Sequence, residues 1–186
     1  MAASSLAQLK VGALIVFEKD IKLKEIIDNG IRINADVSIQ LLKNIFEKDT
    51  PLHDGAVIIS EGRVMSACSI LPLAVDNNIN KAFGTRHRAA LGISKNSDAI
   101  AVVVSEETGK ISVAKNNILK VDIKEEGLKK LLLKYLLDIE IDKDSKQNDN
   151  IILRKMKKVK EKFRKKEIKQ GKIHNNKEEE INEGKK

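Results

Sequence analysis

A chain of 186 residues, 41% of them hydrophobic, is long enough for one domain with a buried core and short for two; with aromatics at 3% and no Trp, that core must be built from Ile, Leu, Val and Ala. A single cysteine, Cys68, excludes a disulfide framework or a cysteine metal site within the chain. No run approaches the roughly 20 apolar residues of a membrane span, and Met1-Ala2-Ala3-Ser4-Ser5 lacks the charged start and apolar stretch of a secretory signal, so the chain as given reads as cytoplasmic. The net charge of +8 is uneven: residues 141–186 hold 16 Lys/Arg and 9 Asp/Glu, leaving 19 and 18 ahead of them, an excess of +7 in the tail and +1 elsewhere. Contact with nucleic acid or an anionic membrane is therefore a question for the tail alone, which reads equally well as a solubilising extension.

In chain order, the first strong signal is the apolar, branched run at residues 11–17, which predicts a strand buried on both faces. A short helix over residues 24–29 stops at Gly30, and Asp36 is the candidate cap of a second helix with Val37, Leu41, Leu42, Ile45 and Phe46 on one stripe, ending before Pro51. Strands follow at 56–60 and 64–69, joined by Glu61-Gly62-Arg63 as a tight hairpin; the second carries Cys68, read as a small buried hydrophobe. After an Asn-rich loop at 76–80 come a helix over 86–94 and a central strand over 99–104. A hairpin at 106–109, a return strand at 111–114 and a Leu-rich helix over 125–137 complete the pattern. The sum is an α/β domain, a mixed central sheet flanked by helices, with residues 1–8 as a lead-in, 9–140 as the domain and 141–186 as a charged, low-complexity tail.

Residues that packing does not explain gather at three places, each at the mouth of a predicted strand or helix. In Pro51-Leu52-His53-Asp54-Gly55-Ala56, a carboxylate precedes a strand directly and Gly55 leaves the backbone open to a ligand; Asp-Gly alone is ordinary turn chemistry. In Gly84-Thr85-Arg86-His87-Arg88, a glycine, a hydroxyl and two guanidinium groups meet at a helix start. Backbone N–H groups and the helix dipole favour an anion there, whereas cations oppose that dipole, so two arginines point to a bound phosphate. In Ser105-Glu106-Glu107-Thr108-Gly109, a hydroxyl stands beside carboxylates of which at most one would bind a hard cation. A metal-binding carboxylate, a phosphate cradle and a second carboxylate form the inventory of metal-assisted phosphoryl or nucleotidyl transfer, without choosing the nucleotide.

Asp54-Gly55-Ala56 and Arg86-His87-Arg88, about thirty residues apart, together with Gly12-Ala13-Leu14-Ile15-Val16-Phe17-Glu18 and Val104-Ser105-Glu106-Glu107-Thr108-Gly109, resemble the diadenylate cyclase domain family. The likeness covers nearly the whole expected domain and is similar to the membrane-tethered branch of Gram-positive bacteria. Members of that branch carry transmembrane helices ahead of the Gly-Ala-Leu-Ile-Val segment; a start so near the first strand favours a shortened piece of a tethered protein over a natural untethered variant.

The resemblance implies a diadenylate cyclase, a nucleotidyltransferase joining two ATP into cyclic di-AMP and two pyrophosphates across a facing pair of chains. Asp54 would bind the metal, Mn²⁺ or Mg²⁺ with Co²⁺ as a further candidate, near the ribose 3′-hydroxyl, and Gly55 and Ala56 would line the sugar. Thr85, Arg86, His87, Arg88 and Ser105 would hold the triphosphate, with Gly84 in the same stretch. His53 and Glu107 would add metal contacts, Glu107 from the facing subunit, and Leu71 would touch adenine through its backbone. Ile70 stands where the branch often has a stacking Tyr, so the base would be covered by an aliphatic group. The implied partners are ATP and a second copy of the chain in a homodimer or higher homo-oligomer, with a regulatory protein partner left open.

Overall fold

The structure is a computed structural model and describes residues 1–74, 83–137 and Arg154. Met1–Leu132 form one compact unit and Leu133–Lys186 a second, of which the end of a helix and Arg154 are described. The Asn-rich loop, the boundary between 140 and 141 and nearly all of the tail lie outside the described residues.

Seven strands form one mixed sheet: β1 (Ala13–Phe17), β2 (Ile31–Asp36), β3 (Ala56–Ser60), β4 (Arg63–Ser69), β5 (Ile100–Val104), β6 (Ile111–Lys115) and β7 (Ile118–Lys120), in the order β2-β4-β3-β1-β5-β6-β7. Only β1 and β3 are parallel; every other neighbouring pair is antiparallel. The helices are α1 (Ala2–Gln8), α2 (Lys24–Asp28), α3 (Ile39–Ile45), α4 (Thr85–Asn96) and α5 (Glu125–Leu137). The expected mixed sheet with flanking helices is thus the observed architecture.

Strand periodicity explains the layers. Leu14 and Val16 of β1, Ala56 and Ile58 of β3 and Ala101 and Val103 of β5 join Ala89, Ala90 and Ile93 of α4 in one buried cluster, with Ile26 and Ile27 of α2 at its margin. The alternate residues Ala13, Ile15, Val57, Val102 and Val104 are equally buried, facing the other way, where α1 packs against β5, β6 and α3. Residues 1–8, set apart by the sequence reading as a lead-in, therefore belong to the packed unit: Leu6 is 2% exposed, and the backbone of Ala7 fills the space that a Cβ on Gly109 would need.

Beyond α1, two stretches differ from expectation, residues 31–45 and the chain after β6. Asp36 does not cap a helix; it ends β2 and takes an ion pair from Arg63, while Ser38 caps α3, its hydroxyl accepting from the Leu41 N–H at 3.1 Å. Strand β2 itself was hidden because it is an edge strand of mixed polarity, Ile31-Arg32-Ile33-Asn34-Ala35-Asp36, with a bulge at Asn34 (φ 49°). Arg63 clamps that bulge, donating from Nε to Asn34 Oδ1 and from Nη2 to its carbonyl. The second difference is β7, which follows β6 through Asn116-Asn117, both at positive φ as a two-residue hairpin of the primed type requires. The β3–β4 hairpin turns in the same way through Glu61 and Gly62.

Candidate active site

The sheet register brings the three sequence clusters to one end of the sheet. Ala13 pairs with Val104, Ile15 with Val57 and Ala56 with Ser69. The residues just before β1 (Gly12), just before β3 (Asp54 and Gly55), just after β4 (Ile70 and Leu71) and just after β5 (Ser105 to Glu107) therefore share one edge. With strands about 4.8 Å apart and β1 lying between them, the mouths of β3 and β5 stand about 10 Å from each other, the scale of one nucleotide.

Helix α4 begins at the same edge. Gly84 is its N-cap and supplies no side-chain acceptor, so the leading N–H groups of the helix lack a cap. Gly84, Thr85, Arg86 and His87 form one wall of a cleft whose other wall is Ser105, Glu106 and Glu107, with Val104 at its floor. The hairpin at 105–110 is held by Ser105 N–H to the Lys110 carbonyl, Gly109 N–H to the Ser105 carbonyl and Thr108 N–H to Ser105 Oγ. Arg86 Nη1 donates to Glu106 Oε2 at 2.8 Å across the cleft.

His87 is buried, its ring stacked on Phe83 with centroids 5.1 Å apart and its Nε2 3.3 Å from Ser112 Oγ. Burial lowers its pKa, against the opposing charge of Glu107, so the ring is neutral at pH 7 and serves as a hydrogen-bonding group rather than a third cation. Arg88 is not brought to the cleft: it lies one step further along α4, where its Nε reaches the Ala74 carbonyl at 3.4 Å and its own carbonyl accepts from Ala74 N–H. Arg88 thereby fastens the segment after β4 to α4, and a close approach of the Pro72 carbonyl to Gly92 completes that seam.

At the β3 mouth, Asp54 is exposed and its carboxylate makes no hydrogen bond or ion pair among the described residues. His53 Nδ1 lies 2.6 Å from the Thr50 carbonyl, an atom that can only accept, so Nδ1 donates in this contact. Gly55 sits at φ +98°, and a Cβ there would lie 2.8 Å from the Cys68 carbonyl carbon, so the adjoining strand as well as any ligand demands glycine. Cys68 is half-buried instead of fully buried as expected; its thiol donates to the Pro51 carbonyl, and burial, then the charge of Asp54, raises its pKa. The departure arises because Cys68 occupies a bulge of β4 at φ 55°, which turns its side chain out of the strand's alternation.

Ala56 and Leu71 are buried in the core, while Ile70, next to Leu71, is 73% exposed. Ile70 is held by Asn29, whose side-chain amide donates to its carbonyl at 3.1 Å and accepts from its N–H at 3.0 Å. The sequence reading did not single out Asn29, Phe83 or Gly12; of these only Gly12, a glycine directly ahead of a strand, carried a local signal.

Among the described residues no group of three or more His, Cys, Asp or Glu side chains could hold a metal ion. The donor set of one chain, the Asp54 carboxylate and the adjacent residue His53, with Glu107 at the separate cleft, fits a hard divalent cation only if phosphate oxygens of a nucleotide complete the shell, which is how Mg²⁺ is commonly held.

The sequence profile of the family described as "DisA bacterial checkpoint controller nucleotide-binding" matches residues 1–119. A diadenylate cyclase of Listeria monocytogenes is 50% identical over 140 residues, which is 75% of this chain and 51% of that protein; the cyclic di-AMP synthase CdaA of Bacillus subtilis is 47% identical over 131 residues, 70% of this chain and 48% of that one. The chain thus spans about half the length of these curated relatives. A crystal structure of a double mutant of DacA from Staphylococcus aureus superposes with a TM-score of 0.71 at 46% identity, covering 73% of this chain and 90% of that one. No helix among the described residues is long and apolar enough to cross a membrane. By sequence and by fold, this chain belongs to the DisA bacterial checkpoint controller nucleotide-binding family.

Proposed function

We propose that the chain is a diadenylate cyclase that condenses two ATP into cyclic di-AMP and two pyrophosphates. The observation that carries this reading is the convergence at one sheet edge of an unpaired carboxylate (Asp54), an uncapped helix start bearing Arg86 and His87, and the Ser105 to Glu107 hairpin. Two relatives named diadenylate cyclase and cyclic di-AMP synthase, at 50% and 47% identity, support the same chemistry.

In this reading the cleft takes the triphosphate. Arg86 and the leading N–H groups of α4 bind phosphate oxygens, His87 contributes a neutral hydrogen bond, and Ser105 closes the far wall. Ile70 covers one face of adenine while the backbone at Leu71 reads its edge. Asp54, with His53, holds Mn²⁺ or Mg²⁺ (Co²⁺ being a third candidate), which when bound lowers the pKa of the ribose 3′-hydroxyl. The 3′-oxygen of one ATP forms a bond to the α-phosphorus of the other, the bond to pyrophosphate breaks, and the hydroxyl proton passes to solvent water; the same exchange in the opposite sense closes the ring.

A product with two-fold symmetry calls for two chains facing each other, each bringing one ATP, with Glu107 reaching the partner's metal. Alignment of two bound nucleotides is worth several kcal/mol, on the order of 7 or more in the best intramolecular cases. The test is calorimetry with 3′-deoxy-ATP beside chromatography with ATP, on the parent and Asp54→Asn. The parent is expected to bind both and convert ATP, and the variant to bind without converting; equal product from Asp54→Asn contradicts the assignment of Asp54.

A further inference from the structure

We infer that Glu106 and Gly12 are positioning residues that together fix the plane of the Arg86 guanidinium for the nucleotide's phosphates; the inference rests on the reading of Arg86 as a phosphate ligand. Arg86 stands in the first turn of α4, where its charge opposes the helix dipole, and that turn contains no acidic residue to offset it. The counter-charge comes instead from another element: Glu106 Oε2 accepts from Nη1 at 2.8 Å. The Arg86 side chain is only 20% exposed, and its Nε is buried with no hydrogen-bond partner among the described residues.

The remaining constraint is steric. A Cβ built on Gly12 would lie 2.6 Å from Arg86 Nη1, 2.8 Å from Cζ and 2.8 Å from Glu106 Oε2. The ion pair is therefore laid against the bare Cα of Gly12, and glycine at this position leaves room for it. All three atoms are the ends of flexible side chains, so a methyl group here displaces the pair and not the backbone.

Energy also argues for orientation over stability. Glu106 is 62% exposed, and ion pairs with so open a member contribute little to folding. An arginine fork, however, matches phosphate oxygens only in a defined plane, and small displacements of a binding group are costly to a reaction that depends on alignment. The adjoining glutamates then have separate duties, Glu106 toward Arg86 of its own chain and Glu107 toward metal.

The test is a double-mutant cycle on the full chain, reading the dissociation constant of 3′-deoxy-ATP with Mg²⁺ by calorimetry and the thermal midpoint without nucleotide. Glu106→Gln and Gly12→Ala should each weaken binding about ten-fold or more at a nearly unchanged midpoint, and neither should matter in an Arg86→Ala background. Weakening that persists unchanged in Arg86→Ala, parent-like affinity in Glu106→Gln, or tighter binding by it, which would make Glu106 a competitor of phosphate, overturns the inference. Should Gly12→Ala fail to fold, Glu106→Gln alone decides. If Arg86→Ala itself binds as the parent does, the reading of Arg86 as a phosphate ligand falls, and the positioning role falls with it.

Discussion

Asn29 grips the backbone of Ile70 from both sides, its amide nitrogen donating to the Ile70 carbonyl and its amide oxygen accepting from the Ile70 N–H. The pair ties the C-cap of α2 to the chain leaving β4, the segment assigned to adenine. Asn29→Ala removes two hydrogen bonds at an exposed site, where water substitutes in part, so the expected loss of stability is about 1 kcal/mol. The larger effect should be a several-fold rise in KM for ATP, because Ile70 is no longer held. Urea unfolding and initial rates of the same preparation separate the two.

Gly55→Ala should be severe for two reasons at once. The backbone there is at φ +98°, which L-residues rarely adopt, and the new Cβ would meet the Cys68 backbone at 2.8 to 2.9 Å. Left-handed strain costs about 1–2 kcal/mol, and the collision adds to it. Chemical denaturation is expected to show a loss of at least about 2 kcal/mol, with turnover falling further as Asp54 moves with its neighbour.

Glu18 predicts an acid-side loss of stability. Its side chain is 3% exposed, and burial alone would push its pKa up. Bonds from the Leu23 N–H, the Lys22 ammonium and the Ser60 hydroxyl outweigh that, leaving it below the ordinary 4.5. A carboxylate with a depressed folded pKa contributes stability that is present above 4.5 and is lost as pH falls through the folded value. Urea midpoints of the parent and Glu18→Gln should therefore differ at pH 7 and converge toward pH 3.

His87 gives a second pH signature, in a different window. Its folded pKa lies below 6.5, chiefly through burial, so below pH 6.5 the unfolded chain takes the proton more readily. Stability is expected to fall as pH drops from 6.5 through the folded value. His87→Gln should flatten that portion of the profile in urea titrations; an unchanged slope would mean that the ring titrates freely.

Much of this architecture is legible from residues alone. Continuous apolar runs marked β1 and β5 because both are buried on two faces, and Glu61-Gly62 marked a hairpin because its residues can adopt positive φ. Strand β2 was not legible: its residues face solvent at a sheet edge, and its bulge depends on Arg63, which arrives from β4 almost thirty residues later. The cap of α3 went to Asp36 in place of Ser38 because both are good caps, and the choice between them is made by the same Arg63 pair. In the site, the clusters around Asp54, Arg86 and Ser105 were recognisable by residue type. Their shared edge is a matter of register, and the contacts of Gly12, Asn29 and Phe83 are long-range contacts that no local pattern encodes. Arg88 was grouped with phosphate by side-chain type, and the contact that no local pattern encodes is that of its Nε with the Ala74 carbonyl.

The most direct test of the account is mass-resolved chromatography of ATP incubated with the chain and Mn²⁺ or Mg²⁺ over a range of protein concentrations. The prediction is cyclic di-AMP with two pyrophosphates per molecule of product, at a rate rising faster than linearly with protein until the facing pair is fully assembled. ATP that is bound yet unconverted at every concentration with either metal would contradict it.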